Sequence, residues 1–88
     1  MAERVEVEGI AFDYEPERLK GWKTFQLMSR SREAQDEYAR VEAVVDIVCY
    51  IAGLTVEEFI DKCGGEDTSL EKVVHIASEF IAEVYPKN

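Results

Sequence analysis

Two thiols and one imidazole are the side chains in this sequence with reactive chemistry of their own. Cys49 lies in the run "AVVDIVCYIAGL", where a thiol is expected to act as a small, inert hydrophobe. Cys63 precedes Gly64 and Gly65 at a helix end and is expected to be the more exposed of the two; a helix carboxyl end disfavours thiolate. The thirteen residues between them fit neither a metal-ligand spacing nor a dense disulfide framework. Both read as reduced structural cysteines of an intracellular protein. His75 falls off the apolar stripe of its helix, near Glu71, Ser78 and Glu79, and is expected to be solvated, because a metal site or proton relay needs companions. "GGEDTS" carries acids where a phosphate loop needs N–H donors and a lysine. Counted as a calcium loop from Asp61, "DKCGGEDTSLEK" places Cys63, Glu66 and Lys72 at its third, sixth and twelfth positions, each wrong for oxygen ligation. No catalytic residue, cofactor or metal site is expected, and the chain reads as non-enzymatic.

Binding chemistry is easier to find. "RLKGWKTFQLMSRSR", residues 18–32, carries Arg18, Lys20, Lys23, Arg30 and Arg32 without an acid, in a chain of net charge −9. The flanking segments are −5 over 1–17, −6 over 33–63 and −3 over 64–88. Four explanations stand open. In the first, the cations balance nearby acids, in surface pairs contributing about 0–1 kcal/mol each. The basic helix could meet an acidic face of another copy, with Trp22 and Phe25 supplying affinity. Nucleic acid is disfavoured, since the surrounding carboxylates repel phosphate, and membrane docking needs a cleaner apolar arc. Trp22 is more readily a core anchor, although Trp among basic residues is also typical of binding hot spots.

The elements that position these residues follow from periodicity. Val5 and Val7, then Ile10, Phe12 and Tyr14, alternate around Glu8-Gly9, which predicts a β-hairpin from about 4 to 14. Two strands alone are marginal, so this hairpin must pack on helices or on another subunit. Pro16 opens a first helix, about 16–30, with Leu19, Trp22 and Phe25 on one side and Met28 at its margin. A second helix, about 33–52 with Ser31 as a candidate N-cap, carries Tyr38, Val41, Val45, Val48 and Ala52, widened by Val44, Ile47 and Ile51. So wide an apolar arc suits a central helix or a shared one, and Gly53 should end it. Thr55 and Glu58 form a capping box, with Leu54 and Phe59 as a staple, for a third helix at 55–63 that turns Val56, Phe59, Ile60 and Cys63 inward. Thr68 and Glu71 repeat the box for a fourth helix at 68–85, with Leu70, Val73, Ala77, Phe80 and Val84 inward and Pro86 closing it.

The fold class expected is therefore α+β, mainly α: an N-terminal β-hairpin followed by a small four-helix bundle, in one domain over residues 1–88. A chain this short buries only about 60–65% of its unfolded surface, so a partner could add appreciable stability. "MAERVEVE" has no apolar export signal, and the twelve residues of "AVVDIVCYIAGL" are too few to cross about 30 Å of hydrocarbon; no membrane is expected.

"VEVEGIAFDYE" leading into a helix with a Trp, a polar-then-apolar helix ending in "AGLTVEEF", and then "SLEKVVHIASEFIAEVY" resemble, in element order and size, the small tail assembly chaperones of long-tailed bacteriophages and prophages. The resemblance spans nearly the whole chain and rests on no single diagnostic motif. It implies a non-enzymatic α-rich protein of the host cytoplasm that binds a hydrophobic, helical tape-measure protein, assists tail-tube subunits and forms homo-oligomers. It brings no catalytic residues. On the reading that large apolar side chains exceed what one small core can hold, Trp22, Phe25, Met28, Val48 and Ile51 are the expected protein-binding residues. A different class of function, an acidic inhibitor or DNA mimic occupying a nucleic-acid-binding protein, fits the charge but not the basic stretch.

Overall fold

The computed structural model describes residues 2–85. Strand β1, Glu3–Val7, pairs antiparallel with β2, Ile10–Tyr14, with Val5 opposite Phe12 and Val7 opposite Ile10. Glu8 and Gly9 close the hairpin at φ 52° and 78°. Two consecutive positive φ values give a two-residue turn whose twist matches that of the strands. The hairpin's apolar face carries Phe12, 1% exposed. Its ring packs 6.0 Å from Phe59 and edge-on at 5.4 Å from Phe80, which joins the sheet to two helices.

The expected helix over 16–30 is divided. Pro16–Lys20 forms a 3-10 turn, Gly21 is extended (ψ 159°), and helix α1 runs over Trp22–Glu33. The cause is local. The Arg18 carbonyl accepts from the Gly21 N–H and from the Thr24 hydroxyl, at 3.3 and 2.6 Å, so it is lost to a continuous α-helical ladder, and Gly21 contributes little helix propensity. The restart sets which side is buried: Thr24 and Leu27 face the core, and Trp22 with Phe25 face away.

Helix α2, Glu37–Ala52, starts four residues later than expected, because Asp36, not Ser31, accepts from the Tyr38 N–H. It ends in a Schellman arrangement: Gly53 is left-handed at φ 69°, with Gly53 N–H donating to the Tyr50 carbonyl and Leu54 N–H to the Cys49 carbonyl. Helix α3, Val56–Cys63, has the expected capping box between Thr55 and Glu58. Helix α4, Leu70–Val84, is capped by Ser69 and not by Thr68, whose hydroxyl donates instead to the Cys63 carbonyl at 3.0 Å. Pro86 lies outside the described residues.

One core runs through all these elements, from Phe12 and Leu27 through Val48 and Ile51 to Phe59, Ile76 and Phe80. The architecture is α+β and mainly helical, a hairpin followed by four helices. Helix α2 is its centre. Ala39, Glu42, Ala43 and Asp46 border α1 on one side, and Val41, Val44 and Val45 turn toward α4 on the other.

Candidate binding surfaces

The basic stretch does not form one surface. Arg18 is turned inward: its Nη1 donates to the Tyr50 carbonyl at 2.6 Å, and the guanidinium sits 4.8 Å from the Tyr50 ring centroid. It thereby gives the Tyr50 carbonyl, which the Gly53 N–H reaches at 3.4 Å, a second and charged donor at the end of α2. Arg30 lies 3.9 Å from Asp46, a long exposed pair. Arg32 donates to the Ser29 hydroxyl. Among the described residues no ion pair involves Lys20, Lys23 or Arg32. Local charge balance thus accounts for Arg30 and leaves the two lysines in solvent.

Those lysines flank an aromatic pair. Trp22 is 70% exposed and Phe25 51%, their rings 5.2 Å apart and tilted by 34°. Stacking shields part of each ring but leaves both open to water. Met28, a turn further on, is half-buried and packs against the core. Val48 and Ile51 require a correction: both are fully buried, at 0%, and no partner can reach them in the folded chain. The second half of the apolar arc of α2, from Val45 to Ile51, is consumed internally, because α1 covers one side and α3 and α4 the other.

A second surface was not legible in the sequence. Tyr38, Val56 and Leu70 are 66%, 48% and 51% exposed, although each falls on a stripe expected to be buried. All three stand in the first turn of their helices, Val56 and Leu70 at the first residue. There the helix has not yet descended onto the core. With Val41, Val44, Ile60, Val73 and Val74 they line three adjoining hollows that share Val41 and together form a groove across α2, α3 and α4. Its rim is acidic, with Glu37, Glu42, Asp46, Glu66 and Glu71. Among the described lining residues Arg40 is the one arginine or lysine, and its Nη2 is tied to the Ala34 carbonyl at 3.2 Å.

The two thiols lie apart from both surfaces, whereas His75 lines the groove beside Tyr38 and Glu71. Cys63 is fully buried, not the exposed thiol anticipated, since its helix end is folded under Thr68. Burial pushes the Cys49 thiol up to about 11, with Asp46 adding to the shift, and burial also raises Cys63. Both remain protonated, weakly nucleophilic thiols at neutral pH. His75 is exposed, its Nε2 3.4 Å from a Glu8 carboxylate oxygen on the hairpin turn. Among the described residues no group of three or more His, Cys, Asp or Glu could hold a metal ion, and no helix is long and apolar enough to cross a membrane. No protein-family model, curated protein or solved structure matches this chain.

Proposed function

We propose that this chain is a non-enzymatic, client-binding protein of the phage tail assembly chaperone kind, which keeps a hydrophobic helical partner of the tape-measure or tail-tube type soluble in the host cytoplasm. The observation that carries this reading is the exposed pair Trp22 and Phe25, two stacked rings left in water on a helix whose inward side is already filled. Covering a large aromatic side chain contributes about 1.5–3 kcal/mol, and Trp is enriched among residues that dominate interfaces. A client helix laid on α1 would bury both rings and the exposed edge of Met28. The net charge of −9 would keep the complex soluble by repulsion between copies.

The test uses a purified tape-measure protein diluted from denaturant, with light scattering as the readout. The wild-type chain should suppress aggregation at equimolar ratio, in high salt as in low, and Trp22→Ala/Phe25→Ala should lose the protection while retaining its helical circular dichroism. Equal protection by wild type and double variant would refute the reading. The acidic-rimmed groove favours the alternative, a carboxylate array that occupies a nucleic-acid-binding protein. Binding to such a protein that collapses as salt rises and ignores the Trp22→Ala/Phe25→Ala change would favour it instead.

A further inference from the structure

We infer that the aromatic, lysine-flanked face of α1 docks into the acidic-rimmed groove of α2, α3 and α4 on a second copy of this chain, head to tail. The two surfaces match in chemistry. One offers Trp22 and Phe25 with Lys20 and Lys23 as their exposed neighbours in the chain; the other offers Tyr38, Val56 and Leu70 beside Glu37, Glu66 and Glu71, with His75 at its edge. Apolar meets apolar, and the charges at the edges are opposite.

They cannot meet within one molecule. At about 100° per residue, Trp22 lies nearly opposite the buried Thr24 and Leu27 on α1. On α2, Ala39 and Ala43 border α1 and Val41 and Val44 border the groove, about half a turn of helix away, with Glu42 and Asp46 on the edge between the two. The projecting face and the receiving groove therefore point away from each other across α2. A twofold pairing of like surfaces would set Lys20 and Lys23 against their own copies, or one row of carboxylates against another, and both arrangements are repulsive. Only the unlike pairing brings opposite charges together, and such a contact propagates into a ring or an open chain instead of stopping at two. This inference stands on the two surfaces and does not depend on the identity of any client. A client seated on Trp22 and Phe25 would compete with it.

Trp22 is the sole tryptophan of the chain, so its emission reports the docking directly. As the wild-type concentration rises from about 1 µM to 1 mM, the range of weak association, the emission should shift to shorter wavelength while sedimentation shows species of two, three and more copies. Both effects should weaken several-fold at 1 M salt, where screening acts over about 3 Å. Two variants then separate the surfaces. Trp22→Ala/Phe25→Ala lacks the projecting face, and Leu70→Lys places a cation in the groove; each alone should remain monomeric. Mixed, they should form a dimer and nothing larger, with the intact Trp22 of the Leu70→Lys chain shifting to shorter wavelength as the tryptophan-free variant is added. Tyr38→Lys serves as the groove variant if Leu70→Lys loses its helical signal. Wild-type chain that stays monomeric to 1 mM with constant emission would overturn the inference. So would wild-type assembly accompanied by no association between the mixed variants.

Discussion

Arg18 offers the sharpest test of how the basic stretch is divided. It stands among five cations that look alike in sequence, yet it alone reaches the end of α2, donating to the Tyr50 carbonyl at 2.6 Å with its guanidinium 4.8 Å from the Tyr50 ring centroid. A hydrogen bond from a charged group contributes about 1.5–3 kcal/mol, and a cation over an aromatic face about 0.5–1 kcal/mol at a partly exposed site. The site is part-buried, and water can replace some of the lost hydrogen bonding, so the low end of each range applies. Arg18→Leu should cost about 2 kcal/mol. For a domain of this size, that lowers the melting temperature by about 8–16 °C. Arg18→Lys keeps the charge but not the flat, stacked guanidinium and should lose about half as much. Lys20→Ala and Lys23→Ala should each stay within about 0.5 kcal/mol of wild type. Urea titration followed by circular dichroism measures all four on one scale. If Arg18→Leu were as benign as Lys20→Ala, the reasoning that places Arg18 in the fold and leaves the lysines for a partner would be refuted.

Other outcomes follow from the core and the helix ends. Phe12→Ala should cost about 3–5 kcal/mol in chemical denaturation, because one ring joins the hairpin to Phe59 and Phe80; a loss below about 1 kcal/mol would mean that the hairpin is held by something else. Ser69→Ala should cost about 1 kcal/mol and Glu71→Ala less than about 0.5, since Ser69 caps the Lys72 N–H and Glu71 does not answer it; a negligible loss at Ser69 beside a loss of about 1 kcal/mol at Glu71 would restore the capping box to Thr68. Stability should also fall at alkaline pH. The folded Cys49 thiol ionises near 11 and the unfolded one near 9.0, so its contribution is intact below 9.0 and is lost as pH rises toward 11. Burial likewise raises Tyr14 and Tyr85, with Glu3 adding to the shift of Tyr14, and so acts in the same direction at high pH. Cys49→Ala should therefore flatten the pH dependence by about 1–2 kcal/mol, and an unchanged slope would show the thiol to be solvated.

Local signals with a strict geometry were legible in the sequence. The Glu8-Gly9 turn with its alternating flanks, the Thr55–Glu58 box and the left-handed Gly53 each need particular residues at fixed offsets, and each forms where those residues stand. What failed depends on choices between competing partners. Thr68 could cap α4, but the Cys63 carbonyl claims its hydroxyl. The three-residue spacing of Leu19, Trp22 and Phe25 suits an inward or an outward stripe equally. The break at Gly21, driven by the doubly used Arg18 carbonyl, splits it, leaving Leu19 packed against the core and turning Trp22 and Phe25 outward. For the binding residues the outcome was mixed for the same reason. Trp22 and Phe25 are exposed and Met28 partly so, whereas Val48 and Ile51 are fully covered by neighbours that periodicity on α2 alone does not reveal. Tyr38, Val56 and Leu70 keep apolar spacing but sit where their helices begin, beyond the reach of the core.

The most direct measurement is the emission of Trp22 in dilute, folded protein. An indole standing in water, as 70% exposure requires, should emit at long wavelength, be quenched freely by acrylamide, and change little when the chain is unfolded in urea. Short-wavelength emission that is shielded from quencher in the dilute monomer and moves to longer wavelength on unfolding would put Trp22 in the core and contradict the account.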